Sequence, residues 1–295
     1  MRRPKISTFP LHKSFEKQQA DTPLAEIGLR IIVNFYSDAP YVLGTATIIA
    51  GNLLVTAKHV LTDIAQIRTR PDKLEVDDHI SAIQVIPGPE YIVWDILDGI
   101  ADPVSDLALL RVSQNPGRSH HERPIEPRAA RLNPFAPEVG ESIAAFGYKS
   151  SSISISKNAN GGNHIDLRDD AMVSVGIVRE IFEMRRDNHL PFPCYQVSAR
   201  FAGGMSGGPV FDETGSLCGL VCSNIEGTHL DGEPVSYVTT LWPLFRLILT
   251  FDRAGNYPRG ARYPAIELAR GGQILVDDLP RLDKWFSEKI MLGNL

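Results

Sequence analysis

Residues 203–210 read Gly203-Gly204-Met205-Ser206-Gly207-Gly208-Pro209-Val210. Four glycines and a proline surround one serine. Glycine lets a backbone take positive φ and approach a ligand closely. Acyl transfer needs such a turn, with the hydroxyl free and two backbone N–H groups converging on the oxygen that becomes negative. Ser206 is the candidate nucleophile, and the N–H groups of Gly204 and Ser206 are the candidate oxyanion hole. A glycine-rich β-turn with an incidental serine has the same composition. The choice therefore rests on the rest of the chain.

A serine nucleophile needs a base. His59 stands in Leu53-Leu54-Val55-Thr56-Ala57-Lys58-His59-Val60-Leu61, where a strand ends and a helical turn begins. The other seven histidines lie in polar loops or the N-terminal arm. The base needs an orienting carboxylate. Asp106 opens the apolar run Leu107-Ala108-Leu109-Leu110. A carboxylate at the mouth of a buried strand is costly unless hydrogen-bonded, and an imidazole N–H would satisfy it and fix the tautomer. Asp102 competes but has no apolar strand directly behind it, so Asp106 is preferred. Asp106 follows His59 by 47 residues, and Ser206 follows Asp106 by 100.

Around these residues the chain alternates short β-type runs with turns. Leu29–Tyr36, Val42–Ala50, Leu53–Ala57, Ala82–Pro87 and Leu107–Val112 form a first group. Ser142–Gly147, Ser150–Ser156, Ala171–Met184, Tyr195–Ser198, Gly208–Phe211, Leu217–Cys222 and Val235–Thr239 form a second. Residues 1–26 are expected to be a flexible polar arm, residues 68–79 a solvated loop, and residues 113–137 the connection between lobes. Trp242–Phe251 has helical spacing, 254–264 looks like a linker, and Ile274–Val276 is expected to be one more strand. Leu279, Leu282, Trp285, Phe286 and Ile290 share one face of a final helix. That helix is expected to pack back on the barrel rather than to serve as a docking element. The pattern predicts an all-β barrel class.

Composition sets outer limits. The chain has 295 residues, 43% hydrophobic and 22% charged, with a formal net charge of −5. There is no global basic field for nucleic acid, and no apolar run of the length that spans a membrane. The N-terminus has no apolar core of a secretory signal. Cys194, Cys218 and Cys222 make neither a disulfide framework nor a zinc set. They are expected to be small core residues. These features predict a reduced, cytoplasmic protein with no metal or cofactor.

The three motifs together resemble the trypsin/chymotrypsin-fold serine peptidases. Thr56-Ala57-Lys58-His59-Val60 is similar to the histidine motif of that family, Asp106-Leu107-Ala108-Leu109-Leu110 to its aspartate motif, and the 203–210 stretch to its serine motif. The order His, Asp, Ser is that of the chymotrypsin-type triad, whose intervals are roughly 45 and 93 residues. Cys218–Asn224 resembles the strand lining the substrate channel, Ser236-Tyr237-Val238 the last barrel strand, and Trp242–Phe251 the C-terminal helix. Val175-Gly176-Ile177-Val178 is nearer the bacterial HtrA and glutamyl-endopeptidase branches. The resemblance implies two perpendicular six-stranded β-barrels, about residues 27–125 and 126–252, with the triad between them. Residues 253–295 are left as a C-terminal extension. It also implies a primary pocket with Arg200 at its base and Asn224 and Val235 on its walls. The reading preferred from the sequence is that Arg200 points outward or caps a surface carboxylate. Met205 stands where the secreted enzymes carry an aspartate that pairs with a newly cut N-terminus, so activation of that kind is not expected.

The resulting expectation is an intracellular serine endopeptidase with His59, Asp106 and Ser206 as triad. It would cleave protein or peptide substrates and be either narrowly specific or gated, with an activating or sensor protein as a candidate partner. The alternatives are a latent or non-catalytic peptide-binding module on the same fold and a scaffold whose protease cuts only its own chain.

Overall fold

The computed structural model describes residues 14–18, 23–34, 40–62, 79–86, 90–119, 125–157, 163–228, 234–251 and 260–291. Strand β1 (Ser14–Gln18) and a short helix α1 (Pro23–Ile27) come first. Then β2 (Gly28–Asn34), β3 (Tyr41–Ala50), β4 (Leu53–Thr56), β5 (His79–Ile86), β6 (Glu90–Ala101) and β7 (Ala108–Gln114) close a barrel in the order β2-β3-β4-β7-β6-β5. Closure removes the exposed edges that an open sheet would present. Leu29, Ile31, Ala46, Ile48, Leu54 and Trp94 fill its interior. Side chains alternate along a strand. With Ala46 and Ile48 inside this barrel, Thr45 and Thr47 project from its other face, and both are fully buried there.

The second barrel is built from β8 (Ser142–Lys157), β9 (Asn163–Phe182), β10 (Cys194–Val197), β11 (Pro209–Asp212), β12 (Leu217–Thr228) and β13 (Pro234–Thr239). Its ring runs β8-β9-β10-β13-β12-β11 and closes where β11 pairs with β8. The chain is thus all-β with two closed six-stranded barrels. Ile143, Ala145, Tyr195, Val210, Val221 and Val238 form the second interior.

A third apolar cluster joins the lobes. It combines Ile49, Leu53 and Leu109 of the first barrel with Leu217 and Leu220 of the second. Two C-terminal helices, α3 (Ala265–Arg270) and α4 (Leu279–Met291), pack on it through Leu268, Leu282 and Phe286. Between α4 and the barrels, Trp285 lies 4.6 Å from Trp242 and 6.1 Å from Phe135, centroid to centroid. The final helix therefore covers the joint between the barrels, as its apolar face anticipates.

Several local expectations are corrected. Ser14–Gln18 is not part of a flexible arm: it pairs with β9 from Ser14↔Val175 to Gln18↔Ala171, and α1 follows it. Trp242–Phe251 is not one helix. A 3-10 turn covers Trp242–Arg246, Leu247 is extended, and Ile248–Phe251 (β14) pairs with Ala261–Pro264 (β15). Phe245, Leu247 and Leu249 are buried at a spacing of two, and that period belongs to a strand. The supposed linker thus contains β15. Ile274–Val276 makes only an isolated bridge, Leu132↔Val276. Strand β6 escaped the sequence reading because Asp95, Asp98 and Gly99 interrupt its apolar pattern, and Ser142–Ser156 is one strand instead of two. Most of the 68–79 loop lies outside the described residues.

Truncating a large side chain in a joint that cannot collapse leaves a cavity. Phe286→Ala is expected to cost about 3–5 kcal/mol, read as a lower urea midpoint. A change below about 1 kcal/mol would mean that α4 is not part of the core.

Candidate active site

The candidate base and its partner are placed by neighbouring strands of the first barrel. β4 pairs with β7 from Leu53↔Arg111 to Thr56↔Ala108. The residue after β4 and the residues before β7 are therefore adjacent. His59 sits in helix α2 (Lys58–Thr62), which starts one residue beyond β4. Asp106 Oδ1 accepts the backbone N–H of His59 at 2.9 Å, and Asp106 Oδ2 lies 2.7 Å from His59 Nδ1. Asp106 is 7% exposed and His59 34%. The carboxylate is thus shielded while the ring reaches solvent. With the proton on Nδ1, the lone pair of Nε2 faces away from Asp106.

Asp106 has a third donor, the thiol of Cys222 on β12, with Sγ 3.2 Å from Oδ2. Burial pushes this thiol well above its ordinary value, and the Asp106 charge adds to the shift. It therefore stays protonated and can donate. The sequence reading assigned Cys222 to the core alone. The missed signal is its place on the strand resembling the channel wall. Asp102, the rejected candidate, has another role. It is fully buried, accepts Arg246 Nε at 2.9 Å, and its backbone carbonyl accepts Lys58 Nζ at 2.9 Å. That network ties the residue before His59 to the 3-10 turn.

Ser206 belongs to a turn gripped by the first barrel. Thr45 N–H donates to Ser206 O at 2.8 Å, Thr45 Oγ1 to Gly204 O at 3.0 Å, and Thr47 Oγ1 to Gly207 O at 3.4 Å. Thr56 Oγ1 donates to Thr45 O at 2.7 Å, bracing the gripping strand. Within the turn, Met205, Gly207 and Gly208 N–H groups donate to Ala202, Val221 and Met205 carbonyls. Among the described residues, the N–H groups of Gly204 and Ser206 have no such acceptor. These two are the expected oxyanion donors. Gly204 and Gly207 have φ of +91° and +79°. A Cβ on Gly207 would lie 2.1 Å from Thr45 O, so only glycine fits.

Of the expected pocket residues, Asn224 and Val235 come together on the paired strands β12 and β13. Arg200 is exposed, with its guanidinium 5.2 Å from the Phe15 ring centroid, and is no buried floor. Val235 packs against the Leu190, Phe192 and Tyr237 cluster. Asn224 pairs with Ser236 through the backbone, and its side chain lies outside the described residues. A separate cavity of about 510 Å³ is lined by Phe135, Glu138, Met184, Trp242 and Trp285, away from His59, Asp106 and Ser206.

Gly207→Ala is expected to cost far more stability than Gly215→Ala. Both glycines have positive φ, at +79° and +80°, but nothing lies within 4 Å of a Cβ on Gly215. The control measures the backbone cost, about 1–2 kcal/mol. The excess measures the collision with Thr45. Equal urea midpoints would contradict the described fit.

The trypsin-like peptidase domain matches residues 44–220. An uncharacterized protein, y4bJ, of Sinorhizobium fredii (strain NBRC 101917 / NGR234) is 30% identical over 174 residues. That alignment takes in 59% of this chain but only 20% of the relative's length. Among solved structures, the HtrA-type protease AlgW with decapeptide is similar at 16% identity and a TM-score of 0.45, covering 73% of this chain and 61% of that one. Deg5 is similar at 16% identity and a TM-score of 0.44, covering 73% and 84% of the two chains. With more than half of its length matched, and with His59, Asp106 and Ser206 all inside residues 44–220, this chain belongs to the trypsin-like peptidase domain family.

Proposed function

We propose that the chain is a serine endopeptidase that cleaves protein or peptide substrates through an acyl-enzyme. The observation that carries this reading is the pair His59 Nδ1–Asp106 Oδ2 at 2.7 Å. An imidazole protonated on Nδ1 and held by a buried carboxylate is poised as a general base. Ser206 attacks the scissile carbonyl, and His59 Nε2 takes its proton. The carbonyl oxygen, now negative, is held by the Gly204 and Ser206 N–H groups. His59 then gives the proton to the leaving amine, and water enters by the same route in reverse. Asp106 orients the ring and stabilises the imidazolium without taking the proton itself. Cys222 neutralises part of the demand on Asp106 by donating to the same oxygen as His59.

In this reading residues 27–252 form the peptidase unit, with lobes of about 27–125 and 126–252. The location is proposed as intracellular. All three cysteines are free and buried, which supports a fold that does not depend on disulfides. Activity in such a compartment would require narrow specificity or gating by a partner.

A fluorophosphonate probe read by intact mass tests the reading. Wild type is expected to take one probe per chain and Ser206→Ala none. Asp106→Asn is expected to slow labelling by up to about 10⁴-fold, since the wrong tautomer is then favoured. Cys222→Ser keeps a donor and should stay near wild type, whereas Cys222→Ala should lose severalfold. Folded wild type that never labels would favour a latent peptide-binding module.

A further inference from the structure

Strand β1 packs on the apolar cluster that includes Met205 of the serine turn. β9 is longer than its neighbour β10, which covers Val178–Phe182. β1 takes the next stretch of the same sheet, Ala171–Val175, in antiparallel register. Phe15 stands opposite Ser174 and packs on the cluster that holds Met172, Phe201 and Met205. Two cations lie near its ring. Arg200 precedes the turn and lies 5.2 Å from the ring centroid, and Lys149, from β8, lies 6.0 Å away. Lys149 follows Tyr148, whose carbonyl is the atom a Cβ on Gly204 would strike first, at 2.4 Å. At the far end of β1, Lys17 pairs with Asp170.

The turn itself is anchored by an apolar side chain. Met205 is fully buried, and its sulfur accepts the Ala202 N–H at 3.4 Å, while Met205 N–H returns to Ala202 O at 3.1 Å. Its position thus depends on the walls of the apolar cluster around it, and Phe15 is part of that wall. The negative face of the aromatic ring suits nearby cations such as Arg200 and Lys149.

We propose that Phe15 is a positioning residue for the catalytic serine. The added strand β1 holds Arg200–Met205 from outside, so that Gly204 and Ser206 keep their N–H groups on the reacting side. This rests on the reading of Ser206 as nucleophile. The brace is supplied by the chain's own residues 14–18, and it uses sheet pairing and one ring where a charged N-terminus could have served.

Hydrogen exchange followed by mass spectrometry, together with the fluorophosphonate labelling rate, tests the brace on the full chain. In Phe15→Ala, amides of residues 200–205 are expected to exchange at least tenfold faster than in wild type. Amides of β2–β7 should be unchanged, and labelling should slow at least tenfold. Phe15→Tyr, which keeps the ring, should restore both. Lys17→Glu sets like charges at Asp170 and is the milder variant should Phe15→Ala fail to fold; it should move both readouts the same way. Unchanged exchange at 200–205 would overturn the brace whatever the activity. Exchange raised evenly through the second barrel would overturn it as well, since Phe15 would then be an ordinary core residue. Faster labelling in Phe15→Ala would overturn its sign. Wild type inert to the probe would instead contradict the reading of Ser206, so the two failures are distinguishable.

Discussion

The grip of β3 on the serine turn is the contact on which the site depends. Thr45 offers its N–H to Ser206 O and its hydroxyl to Gly204 O. Thr45 also accepts from Thr56, which ends the strand leading to His59. One residue of the first barrel therefore sets both halves of the site. The requirement propagates into the sequence. A strand that fills one barrel with Ala46 and Ile48 must present small polar residues on its other face. The turn that meets it must be glycine at Gly207, because the Thr45 carbonyl occupies the space of a Cβ. Hydroxyl-to-carbonyl bonds in a largely buried seam are weak singly, but leaving a buried carbonyl unpaired costs more than the bond is worth.

Charge is treated with the same economy at Asp106. Three donors converge on it: the His59 backbone, the His59 ring and the Cys222 thiol. A buried carboxylate so supplied has its hydrogen-bonding demand met by neighbouring donors. The cation in the neighbourhood is spent elsewhere, in Arg246 on Asp102. That pair ties the loop before Asp106 to the turn at Trp242–Arg246, and Trp242 in turn rests against Trp285 of α4. The C-terminal helices thus belong to the packing that joins the lobes.

The pairing of His59 with Asp106 was legible in the sequence because an acyl-transfer site of the expected kind restricts residue types sharply. Few roles require glycine on both sides of a serine, and few place a histidine and an aspartate at the ends of paired strands. The barrel class was legible for a similar reason, since turn residues punctuate each strand. What escaped depends on contacts between residues far apart in the chain. Cys222 reads as a small apolar residue until Asp106, 116 positions away, is known to lie beside it. Ser14–Gln18 has no apolar alternation strong enough to announce a strand, and only the free stretch of the β9 edge makes it one. Trp242–Phe251 misled because Leu244 and Phe245 fit a helix while Phe245, Leu247 and Leu249 fit a strand. Pairing with Ala261–Pro264 decided between them. The pocket residues were assigned by family layout, and Arg200 is exposed beside the Phe15 ring, in keeping with the outward-pointing reading.

The central claim is that Ser206, His59 and the two free amides of the turn form one reacting centre. A crystal structure with a peptidyl boronic acid, which mimics the tetrahedral intermediate, tests it most directly. The account predicts a covalent bond from boron to Ser206 Oγ. It also predicts one boronate oxygen within about 2.7–3.1 Å of the Gly204 and Ser206 nitrogens, the reach of an oxyanion hole, with His59 Nε2 facing the other oxygen. Boron bound to another residue, or to Ser206 with its oxygen turned away from those amides, would contradict it.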